Sequence, residues 1–447
     1  MHTFVSFFLD PVLRAPTIGC MLMSFSAALV GVIVFLRKQS LIGETLSHAT
    51  YPGVIFGVII AAIIPLEQDH ELQIATLIIL GAFITALISL WCIQILENKW
   101  NIRTDSALCF ILATFFGVGV TLASYLQFAS PSFYKQSQSY LYGQAATMND
   151  YHVILYAILS LIVVLLLAFL YKELQIITFD REYAKSLGIP IKKIDACLFI
   201  LIALALVAGI RSVGVVLMSA MLVIPAASAR QYTNKLSHMF MLAGCFALIS
   251  GFFGNYFSVE GSTYFAQKYP TARISLPTGP MIVLVGAVIC LFSLLFAPER
   301  GYLLRLIRIF LFQDRCISEN LLKAMWQKRG KQPFSLDTIF EFQSASRIYL
   351  WFCLMRLIHN GWVEQYHHNA YALTVDGEAR AAQIVRLHRL WEVYLADYLG
   401  MGSERVHRSA EEMEHILTPE LEKELTVLLK DPKKDPHHQP IPPSPSF

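Results

Sequence analysis

Nine apolar stretches crowd the first 298 residues of this 447-residue chain, near 18–36, 46–65, 73–96, 106–127, 151–171, 195–210, 213–229, 237–256 and 279–297. Most approach the roughly 20 residues a helix needs to cross the hydrocarbon core of a bilayer. Inside that core only helices or closed barrels satisfy their backbone polar groups. The pattern therefore predicts an all-α polytopic membrane domain of about nine spans over 1–298. The pair 195–210 and 213–229 is the least separated, with only Arg211 and Ser212 between them. At 55% hydrophobic and 15% charged residues, the chain is too apolar for an ordinary soluble protein and too long for one domain. The opening residues, with Asp10 and two prolines and no basic leader, read as an interfacial lead-in to the first span.

Basic residues set the orientation. Arg37 and Lys38, Lys99 and Arg103, the cluster Lys172, Arg181, Lys185, Lys192 and Lys193, then Arg230 and Lys235, and finally Arg300, Arg305 and Arg308 fall on alternate connections. Those connections are expected to be cytoplasmic. The opposite ones, 66–72, 128–150 and 257–278, are poor in Lys and Arg and are expected outside, which puts everything after residue 298 in the cytoplasm. Six of the eight cysteines lie within apolar runs and none forms a CxxC pair, which reads as buried thiols and not as a disulfide framework.

Past Pro298 the composition changes. Residues 299–318 read as a basic juxtamembrane linker. Over 319–380 the pattern predicts a small winged helix-turn-helix, with helices at 319–329 (Ser318 as cap), 335–342 (after Ser335) and 345–359. Two short strands in WVEQYHHNAYALT form its hairpin. A long helix is expected from Val375 through Leu399. Residues 381–435 read as metal-binding and dimerisation helices, and 436–447 as a proline-rich tail with no core-forming pattern.

Three features of the membrane half carry chemistry. In LIGETLSHATYPGV, Glu44 and His48 fall four apart on one helical face at the head of a span. Ionisable groups placed there read as a pathway for a partly dehydrated ion. The segment 179–190, FDREYAKSLGIP, predicts a short amphipathic cytoplasmic helix, a knob on which a separate motor protein can push through Asp180, Glu182, Lys185 and Gly188. Residues 213–230 mix small residues with Pro225, suiting close helix packing and a local break.

GETLSHATYPG and LVIPAASAR together resemble two elements of the permease subunit of metal-ion ABC importers, the TroC/ZnuB/MntB type, over roughly residues 10–298. The resemblance implies that Glu44 and His48 line the metal path. Glu44 stands where the family usually has Asp. It also implies a separate ABC ATPase subunit, an extracytoplasmic metal-binding protein, a second permease subunit or a homodimer, and the bacterial inner membrane. No GxxxxGK[ST] loop occurs, so the chain is expected to be a transport subunit and not itself an ATPase.

The tail carries a second metal signal. HRLWE at 388–392 is followed after 14 residues by HRSAEEMEH at 407–415. On a helix, His407, Glu411, Glu414 and His415 share one stripe, and His388 and Glu392 repeat the four-residue step. Imidazole nitrogen with carboxylate oxygen suits Fe(II), Mn(II) or Zn(II). Residues 317–442 resemble the metal-dependent repressors of the DtxR/MntR type. That resemblance assigns His388, Glu392 and His407 to one site and Glu411, Glu414 and His415 to its neighbour, with the last ligand falling on Asn320, beside Glu319. It places DNA contacts at the start of the third helix, on Ser344, Ser346, Arg347 and Tyr349, with Trp351, Phe352 and Leu354 read as core. Seven Lys/Arg against six Asp/Glu over 319–380 give +1, a weak footprint for promoter DNA.

The sequence thus predicts a divalent-metal permease (Mn, Fe or Zn as substrate and co-repressor) fused to a metal-responsive repressor of uptake genes, released by proteolysis within 298–318. The competing reading makes the tail a cytoplasmic metal sensor that gates the pore without binding DNA.

Overall fold

A computed structural model describes residues 4–63, 71–143, 145, 148–270, 275–343, 345–367, 370–401, 413 and 419–443. The chain divides into two compact units, Met1–Leu304 and Arg305–Phe447.

The first unit is helical. Its elements are α1 (Ser6–Leu9), α2 (Pro11–Leu36), α3 (Ser40–Ile63), α4 (Glu71–Asn98), α5 (Thr104–Ala129), α6 (Pro131–Tyr142), α7 (Asp150–Phe169), α8 (Tyr171–Phe179), α9 (Arg181–Ser186), α10 (Ile191–Val213), α11 (Val215–Arg230), α12 (Leu236–Lys268) and α13 (Thr278–Phe296). Among the described residues, seven helices are long and apolar enough to cross a membrane: α2, α4 from Thr76, α5, α7, α10, α12 and α13. The other two of the nine apolar stretches also form helices. However, α3 carries Glu44, Thr45, Ser47, His48 and Thr50 along its first turns, and α11 has only 16 residues.

The shortness of α11 has a local cause. Gly214 adopts φ of +92° and ends α10, so Arg211 and Ser212, expected to be a connection, are the last turn of that helix. Gly143, at φ +77°, faces it, and a Cβ on Gly214 would lie 2.5 Å from the Leu141 carbonyl oxygen. Two left-handed glycines thus let two backbones meet where no other residue fits. The same logic joins α3 to α4, where a Cβ on Gly53 would be 2.1 Å from the Gly81 oxygen.

Burial ranks the helices: 72% of the most apolar stretch of α2 is covered, against 22% for α13. Helix α2 is therefore central, while α13 presents Leu284, Val288, Leu291 and Phe292 outward, as a lipid-facing stripe should. Polar pairs knit the interior. Ser26 and Ser160 hydroxyls are 2.6 Å apart, Tyr156 and Ser212 hydroxyls 2.9 Å apart, and Asn255 Nδ2 donates to Thr17 Oγ1 at 2.8 Å. In an apolar surrounding each such bond fixes which helix faces which. The stretch 128–150, expected to be an outer loop, contains α6, and α12 runs on to Lys268 through much of the stretch 257–278.

The second unit contains α14 (Tyr302–Gln327, begun in the first unit), β1 (Phe334–Ser335), α15 (Leu336–Phe340), α16 (Arg347–His359), β2 (Val363–His367), β3 (Ala370–Leu373), α17 (Val375–Asp397) and α18 (Pro419–Leu428). Its sheet has the order β1-β3-β2, antiparallel, with Phe334 opposite Tyr371 and Val363 opposite Leu373. The core gathers Leu321, Leu322, Met325, Ile339, Leu350, Leu354, Leu357 and Ile384.

Several sequence expectations are corrected here. The stretch 299–318 is largely helix, because α14 runs without a break from Tyr302. Ser318 is not its cap but a buried interior residue whose hydroxyl donates to the Asp314 carbonyl at 2.8 Å. Ser335 does cap α15, accepting from the Thr338 N–H at 3.3 Å. The two expected strands gain a third, β1. Leu354 is buried, but Trp351 and Phe352, read as core, are 41% and 61% exposed. The start of the proline-rich tail is packed: Ile441 is buried against Leu390 and Val393, and the Pro442 carbonyl accepts from buried Arg386 at 2.8 Å.

Candidate functional site

The polar head of α3 is the candidate transport site. Thr45 Oγ1 donates to the Leu108 carbonyl of α5 at 3.3 Å, and Ser47 Oγ donates to the Val215 carbonyl at the start of α11. These bonds fix the rotation of α3. Glu44 is exposed and His48 half-buried. The His48 ring meets Phe116 of α5 edge-on, with centroids 4.7 Å apart. Its Nδ1 is buried and has no hydrogen-bond partner among the described residues. A buried imidazole nitrogen left without a partner costs free energy, a cost that a bound cation would offset.

Also in the membrane unit, α9 is a small exposed projection. Asp180 caps it by accepting from the Tyr183 N–H at 2.9 Å, Glu182 pairs with Lys185 at 2.7 Å, and Gly188 leaves it with φ of +71°. Phe179, Tyr183 and Leu187, spaced four apart, are 60%, 54% and 52% exposed. The projection is braced from within. Arg181 bonds Asp195 of α10 at 2.8 Å, and the other oxygen of Asp195 takes Arg37 from the end of α2 at 2.7 Å. Sequence reasoning missed Asp195. It is one of three acids, with Asp180 and Glu182, among Arg181, Lys185, Lys192 and Lys193, and nothing local singles it out.

In the second unit, α17 places His388 and Glu392 one turn apart, both almost fully buried, with His388 Nε2 3.1 Å from Glu392 Oε1. Nδ1 of the same ring lies 3.2 Å from Lys323 Nζ, reaching across from α14. Lys323 was also missed, although it follows Asn320 by one turn on α14. Asn320 is half-buried. His407, Glu411, Glu414 and His415 lie outside the described residues, and no group of three or more His, Cys, Asp or Glu able to hold an ion occurs among the described ones. By donor type His388 and Glu392 suit a borderline divalent ion. By arrangement they do not yet fit one, since both ring nitrogens are engaged.

Two further networks hold this unit together. Arg386 of α17, 2% exposed, joins Glu422 of α18 at 3.3 Å, Asp431 at 3.1 Å and Thr426 at 3.2 Å. Asp431 is held below the usual carboxylate range by its hydrogen bonds to Lys433 and Arg386. Near the start of α14's packed half, Asp314 accepts from Tyr349 at 3.2 Å and from Cys353 at 3.5 Å, and pairs with Arg356. Burial pushes the Tyr349 phenol and the Cys353 thiol above their ordinary values.

Of the expected DNA contacts, Ser344 lies outside the described residues. Ser346 caps α16 through the Tyr349 N–H at 3.4 Å, Arg347 is exposed, and the Tyr349 hydroxyl is turned to α14. The outward face of α16 carries Ile348, Trp351, Phe352 and Met355.

Residues 10–297 match the ABC 3 transport family, and residues 374–443 match the iron dependent repressor, metal binding and dimerisation domain. A probable metal transport system membrane protein of Chlamydia trachomatis serovar D is 36% identical over 97% of both chains. The manganese transport system membrane protein MntC of Bacillus subtilis is 31% identical over 84% of this chain and 82% of its own. Among solved structures, PsaBC from Streptococcus pneumoniae in complex with Fab overlays with a TM-score of 0.54 at 26% identity, covering 67% of this chain and 97% of that one. With its helical first unit and the family match across most of that unit, the chain belongs to the ABC 3 transport family and carries a repressor-type metal-binding domain at its C-terminal end.

Proposed function

We propose that this chain is the membrane-spanning permease of an ATP-driven importer of a divalent metal, Mn(II), Fe(II) or Zn(II), in the bacterial inner membrane. The observation that carries the reading is the head of α3, where Glu44 and the unpartnered Nδ1 of His48 share one helical face at a position pinned by α5 and α11. A metal shedding waters would pass from one donor to the other, and the surrounding apolar helices would keep bulk water out. The relatives named as manganese and metal transport proteins support this cargo class. We count α3 and α11 as membrane elements packed inside the bundle, which restores nine.

The permease pairs with a second permease subunit or a second copy. It takes metal from an extracytoplasmic binding protein and is driven by a separate ABC ATPase that docks on Asp180, Glu182, Lys185 and Gly188. The exposed Phe179, Tyr183 and Leu187 give that docking an apolar centre. The Arg37–Asp195–Arg181 brace carries a push on α9 into α2 and α10. Metal uptake into vesicles holding the assembled importer tests the pathway. Glu44→Ala and His48→Ala should each abolish uptake while the protein still assembles, and uptake at the parental rate by both would refute it.

The C-terminal unit reads as a winged helix-turn-helix with a metal-responsive half, repressing uptake genes when metal is replete. His388, Glu392 and His407 would hold one ion, and Glu411, Glu414, His415 and Asn320 its neighbour. Proteolysis within 298–318 would release it to reach promoter DNA, and immunoblots detecting only full-length chain in metal-replete cells would count against release. A second reading is favoured by one observation. The outward face of α16 is apolar and Tyr349 is tied to Asp314, which suits a cytoplasmic metal sensor that gates the pore without binding DNA better than a helix that contacts phosphates and bases. A metal-dependent gel shift of the released fragment on its own operon's promoter separates the two.

A further inference from the structure

We infer that Lys323 is a built-in cation of the regulatory half-site: its ammonium ties α14 to α17 in the metal-free protein, and a divalent ion gains His388 only by displacing it. The inference rests on the reading of His388 and Glu392 as metal ligands and adds what controls their access.

The geometry points one way. An ammonium has three N–H donors and no acceptor, so at 3.2 Å from Nδ1 of His388 it must donate, and Nδ1 must be the unprotonated nitrogen. The ring proton then belongs to Nε2, which lies 3.1 Å from Glu392 Oε1. A neutral imidazole has one lone pair available to a metal, and here that pair faces Lys323. Ammonium, imidazole and carboxylate thus stand in contact in that order. Lys323, His388 and Glu392 are 7%, 4% and 2% exposed, so water replaces none of these bonds without an opening of the helix pair.

Charge acts in the same direction. The cavity beside the triad, about 850 Å³, is lined by Lys323, Arg329 and Arg389 against Glu392 and Asp435, with His388 and His437 also on its wall. Three cations against two carboxylates give a formal +1 along this described wall. Asp435 is further occupied, pairing with Arg389 at 3.4 Å and accepting from the His437 and Gln439 N–H groups at 2.9 and 2.8 Å. A divalent ion approaching Glu392 therefore meets a like charge already in place. The cavity also supplies the exit. Its wall combines Trp326, Val385 and Pro440 with polar groups such as Gln327 and Gln439, so the four-carbon stem of Lys323 can lie along the apolar part while its head keeps polar neighbours.

The consequence is a site with a threshold. Where metal alone joins two helices, the metal-free state is loose. Here α14 and α17 are already joined, and metal exchanges one tether for another.

The test uses the full chain in nanodiscs with Mn(II) as the only added ion, in a Glu44→Ala/His48→Ala background. Free Mn(II) is read by its electron paramagnetic resonance signal, and hydrogen exchange of amides 318–326 and 384–393 is followed without metal. Lys323→Met should bind Mn(II) about tenfold more tightly, the scale on which partners of metal ligands act. Its metal-free exchange in both segments should be at least about tenfold faster, and Mn(II) should restore protection. Lys323→Arg, which keeps the cation, should resemble the parent. If Lys323→Met does not purify folded, Lys323→Gln carries the same expectation. Parental affinity and parental exchange in the neutral variant, with Mn(II) binding still lost on His388→Ala, would overturn the role of Lys323 and leave the metal site standing. Mn(II) binding unchanged by His388→Ala in every background would remove the metal-site reading and the inference together.

Discussion

Replacing Arg386 by Met isolates what holds the metal-binding half in place. The guanidinium is 2% exposed and reaches Glu422, Asp431, Thr426 and the Pro442 carbonyl, so it ties α17 to α18 and to the C-terminal segment at once. The partners do not suffer equally when it is removed. Asp431 has a side chain 47% exposed and keeps Lys433, so water and a neighbour re-solvate it. Glu422 has a side chain only 9% exposed and keeps just the Gln383 amide at 3.3 Å. Its stranded charge dominates the cost, which for one partner of a buried ion pair is about 3–5 kcal/mol. Recovered methylene packing and the re-solvated Asp431 bring the expected loss to about 3 kcal/mol. Hydrogen exchange of α17 amides in the full chain should then accelerate on the order of a hundredfold. The double variant Arg386→Met/Glu422→Leu should recover at least about half of that loss, because it removes the stranded charge as well. Exchange within about threefold of the parent in the single variant would refute the assignment of Arg386 as the keystone. A double variant no better than the single would refute Glu422 as the source of the cost.

The Arg37–Asp195–Arg181 brace predicts that Asp195→Asn lowers transport-coupled ATP hydrolysis by about tenfold in the assembled importer while the ATPase still co-purifies. Loss of co-purification would instead mark Asp195 as part of the docking surface. Asp431 predicts an acid dependence. Its folded-state pKa is depressed, so its contribution to stability is present above the ordinary carboxylate range and is lost as pH falls through the folded value. Asp431→Asn should flatten the acid side of the stability profile of the C-terminal unit, followed by exchange of α18 amides, and an unchanged profile would contradict the assignment. Gly214→Ala forces a Cβ into left-handed backbone, about 1–2 kcal/mol, and against the Leu141 carbonyl. Reduced yield of folded importer is expected, and normal yield with normal uptake would show that the α10–α11 break can relax.

Much of the fold was legible because the bilayer and the helix impose one-dimensional rules. Apolar length, alternating basic loops and the four-residue steps in Glu44–His48 and His388–Glu392 survive in any conformation the chain adopts. These gave the membrane unit and the helical tail, and put Glu44 with His48 and His388 with Glu392 on single helices. Residues that pair across distance left no such trace. Asp195 is one acid in a basic loop until α2 and α9 converge on it, and Lys323 is an ordinary helix lysine until α17 puts an imidazole 3.2 Å away. Trp351 and Phe352 were read as core because large apolar side chains are usually buried, yet the buried face of α16 is Leu350, Cys353, Leu354 and Leu357. Local periodicity chooses an element. Which of its faces is covered, which nitrogen keeps its lone pair and where an apolar run breaks at Gly214 depend on partners brought from far along the chain, and only packing in three dimensions supplies them.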